Sequence, residues 1–418
     1  MVGLWLLIPE HLRLGSWDLL RSWTGQPTER VEPRLAMQLV HESALCVTGI
    51  RQGRGLGQRG FELANGLPFV ATDTAIHELL NGHTVAQARA LQVGLGLLRR
   101  TRGHFQATHL AVDPHRMRSW SKRQMRRHRS QHHQEESAHK MAQTFFLLDV
   151  DTHQPVCLTT GTASRTVTQA TPDLLDLGAS ILQPSTSKHA LVLADGEHFT
   201  ADLVSDLSKR HGMDLLVPQP NRASLRKTLQ AWPENRWTRR WPGFATAKIA
   251  LESEKGVLYQ MAQRNGEKPA DYEYRSYLST VDRDELRALT DEFPARWHIE
   301  EFFDQHQALG WCRAGTLNLN IRYGQMSLAL IAQAALYQLR VRLGKPYSTW
   351  EADRLAKHLL QGLDGDIRVH KDTIVVTFYN APEDLQAHYK DLPAKLREEG
   401  VDPTVPWLYG FNLDFQFK

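Results

Sequence analysis

KHALVLADGEHFTADLVSDLSKRHGMDLLVP, residues 188–218, holds two short apolar runs either side of a helix-length mixed segment. ALVLAD (190–195) and DLLVP (214–218) are too short for buried helices and read as strands buried on both faces. Between them FTADLVSDLSKRHG (199–212) reads as a helix, with Gly212 as its C-terminal stop. Strand, helix, strand in this order is the unit of a sheet that carries helices on its faces. The acid that closes the first run, Asp195, falls at a strand end, where α/β sheets commonly place their ligand sites.

The same texture extends upstream. THLAVD (108–113), AQTFFLLDV (142–150) and QPVCLTT (154–160) read as three more strands, and TPDLLDLGASIL (171–182) as a second helix. The resulting β-β-β-α-β-α-β order predicts an α/β fold, a mixed five-stranded sheet flanked by helices. Asp113 closes the first of these runs as Asp195 closes the fourth. An Asp in this position caps a turn about as often as it binds anything, so neither residue is decisive alone.

Downstream, Trp232, Trp237 and Trp241 stand among basic residues, followed by three strand patterns, FATAKIALE (244–252), VLYQMAQR (257–264) and YEYRSYLST (272–280). They predict a β-rich insertion. Helical signals then resume from VDRDELRALTDEF to SLALIAQAALYQLRVRL (327–343), where Gln333, Gln338 and Arg340 favour a buried helix over a membrane span. The predicted domains are therefore a helical N-terminal DNA-binding or support domain (1–104), a first core part (105–225), the insertion (226–282), a second core part (283–345) and a C-terminal α+β brace (346–418). Within the first, DTAIHELL and the Thr84-capped VAQARALQVGLGLLRR could form a helix-turn-helix, or equally a supporting bundle without a basic recognition helix.

Composition narrows the class. With 418 residues, 41% hydrophobic and 23% charged, the chain can bury more than one core, and 11 Trp argue against wholesale disorder. Three separated cysteines, Cys46, Cys157 and Cys312, exclude a disulfide framework and a cysteine zinc cage. The opening MVGLWLLIPEHLRLG lacks a basic leader and meets Pro9 too early for a signal peptide, so a packed segment in a cytoplasmic protein is expected. Net charge is only +4, yet Arg116 to Arg129 reads RMRSWSKRQMRRHR without an acid. Such a run is usually a solvated face, but it starts three residues after Asp113, which favours phosphate contacts by Arg116, Arg118, Lys122 and Arg123. His128, His132, His133 and His139 match no standard metal cage.

A third acid completes the constellation. In FPARWHIEEFFDQHQ (293–307), turning each residue by about 100° puts Arg296, Glu300, Phe303 and Gln307 on one arc. Ala295, Ile299, Phe302, His306 and Leu309 form the stripe expected to face the core. Glu300 is thereby set at the edge of that stripe with Arg296 one turn before it, and Glu301 toward solvent. Asp113, Asp195 and Glu300 can then converge on a pair of divalent cations, an arrangement that cuts and rejoins phosphodiester bonds.

This constellation resembles the DDE transposases of bacterial insertion sequences, in the branch with an RNase H-like core and a β-strand insertion before the catalytic Glu. That branch carries Tyr, Arg three residues on, Glu four further and Lys seven further; here the positions hold Phe293, Arg296, Glu300 and Gln307. Asp195-Gly196 with Phe199 is similar to the branch's Asp-Gly-x-aromatic block, one residue longer. The resemblance spans roughly residues 105–345.

The resemblance implies an enzyme that binds the terminal inverted repeats of its own element as double-stranded DNA, pairs two ends in a homodimeric complex, and cuts with metal-activated water. The freed 3′-hydroxyl attacks target DNA. Asp113, Asp195 and Glu300 would be both catalytic residues and ligands of Mg²⁺, with Mn²⁺ able to substitute; Arg296 and Gln307 would position the strand, and Trp237 and Trp241 are the candidates to stack on a flipped base, although core packing is the commoner role for any single Trp. Such a protein would be cytoplasmic, associated with the bacterial nucleoid and free of membrane partners. Two alternatives keep the fold: an inactive, domesticated DNA-binding relative, which Gln307 leaves open but the presence of all three acids counts against, or an RNase H-fold nuclease that cuts without joining.

Overall fold

The computed structural model describes the chain except residues 26–30, 48–55, 57–58, 120–126, 129–138, 163–164, 186–187, 254–255 and 312–314, and except the side chains of 118, 127–128, 139 and 306. Two compact units emerge. One comprises Arg100–Arg116 and Gln143–Phe303, the other Met1–Arg99, Met117–Ala142 and Asp304–Lys418.

The first unit is organised by a sheet whose central strands are the apolar runs of the sequence. These are β1 (His109–Arg118), β3 (His139–Asp149), β4 (Gln154–Thr162), β5 (Ala190–Ala194) and β6 (Met213–Pro218); a two-residue β2 (Arg127–His128) pairs with His139 and Lys140, all four residues falling in the other unit's segment Met117–Ala142. Along the sheet the order is β4-β3-β1-β5-β6. β1, β5 and β6 run parallel, and every residue of β5 is buried. Burial on both faces is what an unbroken ALVLA run is suited to.

The helix Val167–Leu182 returns the chain from β4 to β5. It begins four residues before the predicted run because Thr166 and Gln169 close a capping box. Its Gly178 packs close to β3, where a Cβ would force the Leu147 side chain to shift. The helix after β5 is shorter than predicted, Ala201–Leu207, capped by the Thr200 hydroxyl.

The insertion does not form a separate sheet. β7 (Thr238–Trp241), β8 (Phe244–Ser253), β9 (Gly256–Asn265) and β10 (Glu273–Ser279) make an antiparallel meander, and β10 pairs antiparallel with β6. The five-stranded core thus continues into the order β6-β10-β9-β8-β7. Trp237 packs with Leu229, Ala245, Ala247, Ala262 and Tyr274, where alanines on neighbouring strands leave room for the large ring.

In the second unit the helix Leu319–Leu343 is buried along most of its length and packs against helices Glu32–Ala44 and Asp73–Gly82. A four-stranded sheet closes it: β11 (Gly365–His370), β12 (Thr373–Phe378), β13 (Thr404–Val405) and β14 (Phe411–Phe417), with β12 and β14 parallel. The opening segment is buried as expected, with Leu4, Leu6, Leu7 and Ile8 fully inaccessible. Among the described residues no helix is long and apolar enough to cross a membrane.

Charged residues tie distant segments of this unit together. Buried Glu10 receives Arg13 and Arg342, each at 2.9 Å, and both arginines also reach Glu399. Burial raises the Glu10 carboxyl pKa, and the two guanidinium groups pull it back. Arg342→Ala leaves Arg13 as the remaining partner of a buried carboxylate. A loss of about 2–3 kcal/mol in denaturant unfolding is expected.

Candidate active site

Parallel pairing of β1 and β5 sets Val112 opposite Ala194. Asp113 and Asp195 each follow directly on this last pair, and Asp195 is close enough to help raise the Asp113 pKa. The prediction that both acids end strands needs correction for Asp113, because β1 continues through Pro114 to Arg118. β5 does stop at Ala194, which leaves β1 an open edge from there on, and an open edge is where a strand tolerates proline. Asp195 instead opens a 3₁₀ turn, Gly196–His198, and its Oδ1 accepts the Glu197 amide at 2.7 Å.

Glu300 arrives from the other side of the sequence. A 3₁₀ turn, Pro294–Trp297, leads into the helix His298–His306. Ile299, Phe302 and Leu309 are buried on the predicted stripe, while Phe303, placed on the cleft arc by helical geometry, is buried too and packs on Phe146 and His115. Glu300 is half-buried and Glu301 exposed, as their angular positions require.

Arg296 joins the acids. Its Nη2 donates to Glu300 Oε1 at 3.0 Å, and its Nη1 lies 3.9 Å from Asp113 Oδ2. One guanidinium thus spans a carboxylate from the sheet and another from the helix. The three carboxylates are not drawn into one tight ligand cluster: their oxygens do not all fall within 4.8 Å of one another. Arg296 Nη1 is buried without a hydrogen-bond partner.

The electrostatics show an excess of negative charge. The Asp113 pKa is pushed up to about 8, first by burial, against the pull of Arg296 and reinforced by Asp195, Glu300 and Glu197. Its side chain keeps a 16% exposed edge, so the surroundings are desolvated while a ligand could still reach one oxygen. A single arginine does not neutralise these groups. Carboxylate oxygens, a shortage of positive charge and an accessible edge together suit a hard divalent cation.

The remaining predicted residues separate. Arg116 is paired with Glu197 at 2.8 Å rather than free. Trp237 is buried, 5.7 Å from the Tyr274 ring and under the Arg264 guanidinium, so its stacking role is corrected to a packing one. Trp241 is 47% exposed, with one face stacked on Phe244 at 4.3 Å. Gln307 lies just beyond the last residue of the Glu300 helix and is exposed. Lys122 and Arg123, and the side chain of Arg118, lie outside the described residues.

Sequence reasoning missed three contributors. Glu197 supplies a further carboxylate, and its place inside the Asp-Gly-Glu stretch was the available signal. His198 is fully buried, with burial first among the causes that lower its pKa to about 4, so it is a neutral imidazole behind Asp195. An open cleft of about 300 Å³ is lined by Asp195, Gln219, Asn221, Arg275, Tyr277, Phe293 and Arg296 among others. Phe293, at the tyrosine position of the signature, meets Tyr277 edge-on at 4.8 Å.

Comparison with known proteins bears on this geometry. Residues 104–334 match the family described as Transposase DDE domain. A cryo-EM structure of the piggyBac transposase synaptic complex with hairpin DNA is similar at TM-score 0.45 and 12% identity, over 85% of this chain and 79% of that one, a likeness too low to carry an argument. No curated protein sequence matches the chain.

Proposed function

Because the chain belongs to the DDE transposase family, its domain filling residues 104–334, we propose that it is the transposase of an insertion sequence, cutting DNA at the element's ends and joining those ends to target DNA. The observation that carries this reading is Arg296, which brings the strand acid Asp113 and the helix acid Glu300 to one guanidinium beside a cleft that Asp195 lines.

Asp113, Asp195 and Glu300 would hold divalent cations, Mg²⁺ with Mn²⁺ as a substitute. When bound, such ions make water a stronger nucleophile and stabilise the leaving oxygen of a phosphodiester. The chain's own groups do the rest. To serve as a ligand Asp113 would release to solvent the proton that its surroundings favour. Arg296 Nη1, which makes no hydrogen bond, would be available to a phosphate oxygen, with Arg275 and Asn221 along the cleft to steer the strand. No side chain forms a covalent bond to DNA in this scheme.

A plasmid carrying the inverted repeats that flank the gene, incubated with the protein and Mg²⁺ or Mn²⁺, tests the proposal. Excised element and strand-transfer products are expected. Binding without cleavage would indicate an inactive relative, and cleavage without joining a nuclease.

Trp241 remains the exposed aromatic of the insertion. Trp241→Ala is expected to weaken binding to ends with unpaired bases by about 1–3 kcal/mol while leaving the melting temperature in place. Trp237→Ala should do the reverse, costing about 3–5 kcal/mol of stability. Fluorescence anisotropy and thermal melts on the same samples separate the two.

A further inference from the structure

Outside the carboxylate site, one group of metal-ligating side chains in the first unit has no role so far. His153, His298 and Glu301 each bring a donor atom within 4.8 Å of the others. We propose that these three residues form a separate binding site for a transition-metal cation of the zinc class, tying the turn between β3 and β4 to the first turn of the helix that carries Glu300.

The placement follows from two local facts. His298 and Glu301 are three apart at the start of the helix, hence on one face, and His298 Nδ1 lies 2.9 Å from Glu301 Oε2. His153 occupies the turn between β3 and β4 with φ of 55°, a left-handed conformation that a residue with a Cβ adopts at a cost. That backbone holds its ring against His298, centroids 4.1 Å apart and 42° between planes. Asp151 nearby is not part of the set, since its oxygens engage the His109 ring and backbone amide.

The donor chemistry selects the ion. Two imidazole nitrogens and one carboxylate oxygen suit Zn²⁺, Co²⁺ or Fe²⁺, whereas Mg²⁺ prefers all-oxygen shells. With metal–ligand bonds of about 2.0–2.2 Å, tetrahedral ligand atoms sit about 3.4 Å apart, so side-chain rotation of an ångström or so closes the site. Three protein ligands leave a position for water. The exposed edges of His153 and Glu301 give the ion a way in. A cation here would fix the backbone one residue from Glu300 without using any of the three acids assigned to catalysis, so the inference stands or falls independently of the proposed activity.

The test is calorimetric titration of the full-length, chelator-treated protein with Zn²⁺. Four variants separate the sources of binding: Asp113→Asn with Asp195→Asn, His132→Ala with His133→Ala, His153→Ala alone, and Glu301→Gln alone. One saturable equivalent is expected in the wild type. It should survive excess Mg²⁺ and persist in both double variants, and weaken about tenfold or more in His153→Ala and in Glu301→Gln. The Glu301→Gln change keeps the shape of the side chain, and circular dichroism checks that each variant is folded. Absence of saturable Zn²⁺ binding, or binding that His153→Ala and Glu301→Gln leave unchanged, would overturn the proposal. So would binding that disappears only with His132 and His133.

Discussion

Asp113→Asn, Asp195→Asn and Glu300→Gln are each expected to lower DNA cleavage by about 10³-fold or more while leaving binding to element ends within a few-fold of wild type. The side chains keep their size, so the sheet register and the helix that position them should survive. What changes is the capacity to hold a cation, because a neutral amide is a poor ligand for a hard divalent ion. Cleavage in Mg²⁺ and Mn²⁺, with electrophoretic shifts run in Ca²⁺, measures both quantities. Asp202→Asn serves as the acidic control and should still cut, since Asp202 is exposed on the helix after β5 and belongs to neither proposed cation site. Near-normal cleavage by any of the three variants would remove that residue from the assignment.

Asp113 should also make stability depend on pH in an uncommon direction. Its pKa is raised from 3.8 to about 8, so between those values the folded protein holds a proton that the unfolded chain has released. Stability from this group is fully present below about pH 4 and is lost as pH rises through 8. Asp113→Asn abolishes this dependence. In the absence of divalent ions the variant should match wild type near pH 4 and exceed it near pH 8 by on the order of 2–5 kcal/mol. Thus a substitution that removes cleavage should be stabilising. Saturating metal competes with the proton and should reduce the difference, and it should move the rising limb of the cleavage profile to lower pH. Equal pH slopes for variant and wild type in chelator would contradict the burial argument.

Much of the fold was legible because strands buried on both faces need unbroken apolar runs. ALVLA, DLLVP and TFFLLD became β5, β6 and part of β3 for that reason. The extension of β1 past Asp113 was not legible, since Pro114, His115 and Arg116 look like a turn; only the early end of β5 makes room for them. Nor was the joining of β6 to β10, because strand runs carry no label for their partners. FNLDFQF (411–417) alternates as a half-buried strand should, and it forms β14.

At the site, helical spacing placed Glu300 against Arg296 and set Glu301 outward, because those relations are local. Arg296 reaching Asp113 is a long-range meeting that spacing cannot give. Its contact with Asp113 exists only in the tertiary structure. Trp237 shows the reverse limit: tryptophan beside arginine suggested base stacking, but the alanines opposite it on β8 and β9 make it a core residue.

Anomalous diffraction from crystals soaked in Mn²⁺ tests the central claim most directly. The account requires Mn²⁺ bound by oxygens of Asp113 and Asp195, with Glu300 contributing, and Arg296 withdrawn from at least one of its carboxylates. Manganese absent from these residues at saturating concentration, or bound without Asp113 and Asp195, would contradict it.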